Sequence, residues 1–386
     1  MSDRQGPSHG GVPHGGARYR GGPQLWLEHP GRRRLGDGTL APLVRTGLVT
    51  GIALGPAGLS RALSADPAAY LPQLGGLPRT VTAASAVRAL LVEDARRAAA
   101  LLGRTRCPDV GRPDVDRLGE GSDGAREAAV SVPLDPALAH DAGRTVVEAR
   151  TLCEAVGSPR LLVRIPATAA GLTAMGDCLA EGIGVDASPV FSPDRFGQVA
   201  DAMRTGLARA GAAGGDPSRI PTAVTYCTGG LDTEAAWYLE RCGDRRALEL
   251  RGEVAVAGAR LAHESWRRSG VRPPRLVWCT GSVPASAHAI RCGLRLSAPG
   301  TAHLVSEVTA AMVPEAGGAP AADRVSGRYD EARRVLRTLE QLGIGHCALT
   351  ERLEGDTLAR LSASWQELTW QVAASLRSHE RTRQRA

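Results

Sequence analysis

Three charged side chains interrupt apolar runs of the chain. Glu28 closes Gln24–Glu28, Arg164 sits within Arg160–Ile165, and Asp186 sits within Gly184–Val190. Drawn into one dry pocket, two carboxylates with a guanidinium between them form a proton-transfer set. The arginine would hold one carboxylate ionised while the other is raised toward neutrality. Such a set supports acid/base chemistry without a covalent intermediate. The same residues read equally as an Arg164–Asp186 or Arg164–Glu28 ion pair of purely structural role, because buried charges are usually paired. Ser188, Thr225 or Cys227, and Trp278 or Thr280 are expected to face the same pocket. Tyr226 and Trp278 would supply its apolar walls, or else ordinary core packing.

Other chemistries are poorly supplied. All 47 Lys+Arg residues are arginine, so the chain holds no lysine and any mechanism that needs a catalytic lysine is excluded. A GC-rich coding bias explains part of this. A protein that handles an aldehyde or an activated acyl group would also gain from lacking surface amines. The eight cysteines contain no C-x-x-C pair, which disfavours a zinc ribbon or a thioredoxin-type site. Cys227 and Cys279 have no histidine beside them in sequence and read as small apolar filler. His29 follows Glu28 and should point away from the pocket. His303 is a weaker acid/base candidate, and His140 reads as structural. No His/Asp/Glu spacing suggests a metal, and no Gly-rich nucleotide loop has the right context, so no cofactor is expected. The His-Gly-Gly repeats at 9–11 and 14–16 lack the strand and elbow of an oxyanion-hole loop.

The elements that must hold these residues follow from composition and periodicity. With 386 residues, 43% hydrophobic and 23% charged, the chain reads as globular and large enough for a wide barrel. No run of 18 apolar residues occurs, and the N-terminus lacks an apolar signal core; a cytoplasmic protein with no membrane partner is expected. The net charge of +7 raises nucleic acid as a partner. Arginines gathered at both ends and only 3% aromatic residues disfavour it. Residues 1–23 read as a disordered Gly/His/Arg-rich tail, 24–376 as a single domain, and 377–386 as a basic tail.

Strands are expected at Gln24–Glu28, Thr50–Leu54, Ala128–Leu134, Arg160–Ile165, Gly184–Val190, Thr222–Cys227 and Arg275–Thr280, with an eighth inside Leu294–Val305. Each is a compact apolar run suited to burial on both faces. Helical periodicity covers Ala137–Ala155, Ala170–Glu181, Asp194–Ala210, Asp232–Cys242, Ala247–Trp266, Tyr329–Leu342 and Asp356–Leu376. Pro108–Gly124 reads as a polar surface loop. Eight strands alternating with helices predict an α/β fold of the (β/α)8 barrel type.

Several segments, in order along the chain, carry a family resemblance. They are Leu134-Asp135-Pro136-Ala137-Leu138-Ala139-His140-Asp141, Leu162-Val163-Arg164-Ile165-Pro166-Ala167-Thr168, Ala180-Glu181-Gly182-Ile183 leading to Phe191-Ser192, and Leu231-Asp232-Thr233-Glu234. Trp278 with Thr280-Gly281, Ala298-Pro299-Gly300-Thr301 and Ser364-Trp365 continue the series. Together they resemble transaldolases, in particular the actinobacterial form, from about Leu25 to Leu376. The resemblance implies the transaldolase variant of the class I aldolase barrel, with a strand-borne lysine that forms a Schiff base with a ketose phosphate.

At the matching position of the I-K-I-P-A-T-like run stands Arg164, whose guanidinium stays protonated and is a poor nucleophile. The acidic strand-one residue is matched by Glu28, and the T-x-N-P-like motif by Ala53-Leu54-Gly55-Pro56. The strand-three glutamate is matched by Pro133, and the strand-five Asn and Thr by Asp186 and Ser188. The phosphate-gripping arginine is matched by Gly230, and the basic residue after strand seven by Pro284. Nucleophile, acid/base and phosphate cations are thus replaced together. The resulting expectation is a repurposed barrel for cyclisation, isomerisation, or carbon–carbon bond formation or cleavage. Its substrate would be a small, non-phosphorylated molecule of bacterial specialised metabolism, with Glu28 and Asp186 moving protons and Arg164 orienting them or binding an anionic oxygen. The alternative is a catalytically inactive barrel that binds or regulates a partner; an oligomer is compatible with either.

Overall fold

The structure, a computed structural model, describes residues 24–103, 128–269, 274–280, 293–312 and 323–385. Strand β1 (Gln24–Glu28) is followed by two short helices, α1 (Arg32–Gly36) and α2 (Ala41–Arg45), and by β2 (Val49–Ala53). Helices α3 (Pro56–Ala65), α4 (Leu71–Gly76) and α5 (Ala83–Gly103) precede β3 (Ala129–Pro133). Strand and helix then alternate through α6 (Ala142–Val156), β4 (Leu161–Ile165), α7 (Ala169–Ala180), β5 (Val185–Val190), α8 (Pro193–Ala212) and β6 (Thr222–Cys227). Helices α9 (Leu231–Leu239), α10 (Arg245–Glu249) and α11 (Val254–Arg268) lead to β7 (Arg275–Cys279). After β8 (Thr301–Val305) come α12 (Glu307–Met312), α13 (Tyr329–Gln341) and α14 (His346–Arg385). All eight strands pair in parallel with their sequence neighbours, and β1 closes on β8, giving the expected (β/α)8 barrel.

Period-two alternation divides each strand between two cores. Trp26, Ala53, Ala129, Leu162, Ala223, Val277 and Ala302 cluster inside the barrel. Leu25, Leu27, Ile52, Val130, Val163, Val185, Val224 and Leu276 face outward into the layer under the helices. One large side chain among alanines fills the interior: the Trp26 indole lies so close to Gly51 that a Cβ there would sit 2.4 Å from its ring. Only glycine fits at 51 for that reason. Below the indole, the buried Arg275 closes the barrel floor, its guanidinium 5.7 Å from the Trp26 ring.

Helix starts follow side-chain capping. Asp141, Thr168 and Ser192 accept hydrogen bonds from the backbone N–H of Arg144, Gly171 and Arg195 at 2.9, 2.9 and 3.0 Å. Asp194 lies in the first turn of α8. The Asp232 carboxylate accepts from the N–H of Ala255 at 3.0 Å and ties α9 to α11.

Three expectations are corrected. The stretch Ala247–Trp266 is two helices, interrupted around Gly252, whose φ of +73° breaks the helix. The helix expected at Asp356–Leu376 begins at His346 and runs to Arg385, through the residues read as a basic tail. That tail has neither Gly nor Pro and is rich in helix-compatible Arg, Gln and Glu. Helix α5 also lies outside the stretches singled out by periodicity. The Pro108–Gly124 connection and the tail 1–23 lie outside the described residues.

Candidate active site at the barrel mouth

Inward-facing positions of β3, β4, β5 and β6 converge on one buried carboxylate. Asp186 has a fully buried side chain. Its Oδ2 accepts from the Ser131 hydroxyl at 2.6 Å and from Arg164 Nε at 3.3 Å; its Oδ1 accepts from the Thr225 hydroxyl at 2.9 Å. Arg164 Nε also lies 3.1 Å from Ser131 Oγ, and its Nη1 donates to the Leu54 carbonyl at 2.9 Å. Register explains the convergence: Arg164 is the Cα partner of Asp186 on β5 and of Pro133 on β3.

An ionised carboxylate without partners would be very costly in such a place. Here both oxygens are satisfied and the countercharge is adjacent, so the group is held as a paired anion. Arg164 is the one member of the set that reaches solvent, its side chain 18% exposed. Among the described residues its Nη2 makes no hydrogen bond, which leaves a guanidinium edge presented at the mouth.

The sequence-predicted site residues separate into two groups. Arg164, Asp186 and Thr225 meet directly. Ser188 lies two residues beyond Asp186 on the same strand face, half-buried and with its hydroxyl unbonded among the described residues. Cys227, Cys279 and Thr280 are half-buried at the ends of β6 and β7. Glu28 ends β1 with its side chain 22% exposed, but it does not join the Arg164–Asp186 pair. Its ion partner among the described residues is Arg61 on α3, 3.7 Å away. The expected arrangement of two carboxylates flanking one arginine is thus corrected: the arginine serves Asp186, and Glu28 stands apart.

Tyr226 and Trp278 do not line the mouth. Alternation turns both outward, where they pack edge to face at a centroid distance of 5.9 Å and are fully buried. The Tyr226 hydroxyl donates to the Phe191 carbonyl at 2.7 Å, and Trp278 packs toward His263 of α11. His303 pairs in register with Trp278 on the same outer side. Burial pushes its imidazole down to about 4, so it is a neutral core residue and not an acid/base at the mouth.

Sequence reasoning missed Ser131, the Leu54 carbonyl and Arg61. Ser131 had a faint signal, a lone hydroxyl at an inward position of an apolar strand. The Leu54 carbonyl had none, because backbone acceptors are blind to sequence. A buried network behind β1 fixes the turn that carries Leu54. His29 Nδ1 accepts from the N–H of Gly55 at 3.2 Å, and its Nε2 lies 3.5 Å from Asp94 on α5. Asp94 is also bound by Arg32 Nε at 2.7 Å and lies 3.3 Å from the Tyr70 hydroxyl. Burial, with Asp94 close by, pushes that phenol well up. His29 thus faces away from the pocket and has a positive φ of 24°.

Among the described residues, no three His, Cys, Asp or Glu side chains are grouped to hold a metal, and no helix is long and apolar enough to cross a membrane. A cavity of about 300 Å³, lined by Leu35, Arg45, Arg97 and Leu101 among others, lies by α1, α2 and α5, away from the mouth. Residues 281–292, which follow β7 and include Pro284, lie outside the described residues.

Comparison with known proteins agrees with this architecture. The family model described as Transaldolase/Fructose-6-phosphate aldolase matches residues 40–372. The chain is 35% identical over 371 residues to Transaldolase 1 of Streptomyces coelicolor, covering 92% of this chain and 93% of that protein. It is 36% identical over 379 residues to a transaldolase of Acidothermus cellulolyticus, covering 94% and 97%. It is 35% identical over 372 residues to one of Thermobifida fusca, covering 93% and 97%.

Proposed function

This chain belongs to the transaldolase/fructose-6-phosphate aldolase family, and we propose that it has kept the barrel while abandoning imine chemistry for carbonyl activation by Arg164. The observation that carries this reading is the Arg164–Asp186 pair itself. The chain holds no lysine, and the position that resembles the family's Schiff-base lysine bears a guanidinium held on two sides, by Asp186 and by the Leu54 carbonyl. A fixed cation with one free N–H edge is suited to polarise a substrate carbonyl and to stabilise the enolate oxygen that follows.

In this mechanism Asp186 is a positioning residue. Both of its oxygens are already engaged, so it orients Arg164 and balances its charge, with Ser131 and Thr225 fixing its rotamer. This revises the expectation that Asp186 itself moves protons. Glu28, its side chain 22% exposed and only loosely paired with Arg61, is the group available to take or return a proton at the carbon beside the carbonyl. The reaction class is isomerisation, cyclisation, or carbon–carbon bond formation or cleavage through an enolate. The substrate is a small carbonyl compound of bacterial specialised metabolism. Gly230 and Pro284, at the positions resembling phosphate-gripping cations, favour one without a phosphate.

A second reading is a binding or regulatory barrel without catalysis; the saturation of Asp186 by three donors favours it. Metabolite profiles of strains carrying a deletion, Arg164→Ala or Glu28→Gln separate the two. If both variants copy the deletion in losing one product and accumulating its precursor, the enzyme reading holds. A deletion effect that neither variant reproduces would remove it and leave the binding reading.

A further inference from the structure

The mouth also carries two thiols that the mechanism does not use. Cys227 and Cys279 are Cα partners on the neighbouring parallel strands β6 and β7. Alternation puts Cys227 on the face of Thr225 and Cys279 on the face of Val277, so both turn toward the barrel axis at its active end. Their side chains are in hydrogen-bond contact with each other. Neither residue is in a disulfide, and both are half-buried. Adjacent strands lie about 4.8 Å apart, inside the roughly 4.4–6.8 Å Cα range that a disulfide accepts. Two small apolar fillers would not need to be cysteine, nor to face each other in register across neighbouring strands.

We propose that Cys227 and Cys279 form a redox-active dithiol that low-molecular-weight disulfides convert to an intrachain disulfide across β6 and β7. One cysteine thiolate attacks a sulfur of the small disulfide, forms a mixed disulfide and releases one small thiol. The second thiolate attacks the protein sulfur of that mixed disulfide and expels the second small thiol. Two protein S–H groups are oxidised, one small disulfide is reduced to two thiols, and the two protons leave with those thiols. Contact with Cys279 and burial push the Cys227 thiol well up. The thiolate is therefore scarce at neutral pH, and the reaction quickens about tenfold per pH unit from pH 7 to 8.5. The bridge would lie two residues from Thr225, which holds Asp186. The proposal is independent of the Arg164 mechanism and stands or falls by chemistry alone.

The test treats the folded full-length chain with oxidised glutathione, alkylates the remaining thiols and cleaves after arginine. Residues 220–241 then carry Cys227 alone, and residues 276–291 carry Cys279 alone. The expected product is these two peptides joined, two hydrogens lighter than their sum and separated by dithiothreitol. Phenylarsine oxide, which condenses with paired thiols and releases one water, is expected to bind the same two peptides as one equivalent. Cys227→Ser and Cys279→Ser should each stop at a glutathione mixed disulfide on the remaining cysteine. Separate glutathione adducts on both wild-type cysteines, or full alkylation of both after long exposure, would overturn the proposal without recourse to the variants.

Discussion

Replacing Arg164 with methionine keeps the length of the side chain and removes the countercharge of a carboxylate that is wholly buried. Ser131 and Thr225 would still donate to Asp186, but no cation would remain beside it. Breaking a buried ion pair from one side costs about 3–5 kcal/mol. An unfolding entropy of about 2.1 cal/mol/K per residue gives roughly 0.8 kcal/mol/K for this chain. The melting temperature should therefore fall by about 4–6 °C. Adding Asp186→Asn removes the orphaned charge and leaves an amide oxygen for Ser131 or Thr225. The double variant should therefore recover at least about 1.5 kcal/mol over Arg164→Met alone, a non-additivity expected only of groups in contact. Urea unfolding of wild type, both single variants and the double variant gives all of these values. A deficit below about 0.5 kcal/mol for Arg164→Met, or a double variant as unstable as the sum of its parts, would refute the pairing.

Three further outcomes follow from the same geometry. Ser131→Ala and Thr225→Val each remove a hydroxyl donor to a charged acceptor and should cost about 1.5–3 kcal/mol in urea unfolding; equality with wild type would show that Asp186 does not depend on them. The imidazole of His303 is pushed down to about 4 by burial, so the folded state resists protonation while the unfolded state accepts it below about pH 6.5. Its contribution is complete above pH 6.5 and is lost as the pH falls from there toward 4; His303→Leu should flatten that acid limb of the stability profile. Trp26→Ala empties the barrel interior and should cost about 3–5 kcal/mol, while Gly51→Ala drives a methyl into the same indole and should also destabilise; calorimetry of the two variants checks both.

Much of the barrel was readable because each strand is a short apolar run bounded by polar turns: seven strands were located within a residue at either end, and the eighth, expected only inside Leu294–Val305, lies at Thr301–Val305. Helix limits were harder where one glycine decides them. Gly252 splits α10 from α11 although the apolar spacing runs on past it. At the mouth, residue type led to Arg164 and Asp186, since a charge inside an apolar strand must find a partner. Which partner Arg164 chooses depends on cross-strand register, and periodicity along one strand carries no register. Glu28 was grouped with Arg164 for that reason, whereas α3 brings Arg61 to it. Tyr226 and Trp278 point the opposite way from Thr225 and Cys279 by simple alternation. Their aromatic character suggested a pocket wall, but their parity makes them the contact between barrel and helices. The Leu54 carbonyl was beyond reach, as its position depends on the buried His29–Asp94 network behind it.

Imine chemistry is the point on which this chain should part from its transaldolase relatives. The decisive measurement incubates wild type and Arg164→Lys with a ketose phosphate and an aldose phosphate acceptor for transaldolase turnover, and with the ketose phosphate alone, with and without borohydride, for the intact mass. Wild type is expected to show no turnover and no borohydride-dependent increase in mass, since the chain holds no lysine. Arg164→Lys is expected to show no turnover either, because Gly55, Pro133 and Gly230 supply none of the amide, carboxylate or phosphate cation that the family resemblance implies. Transaldolase turnover by the lysine-free wild type would contradict the account.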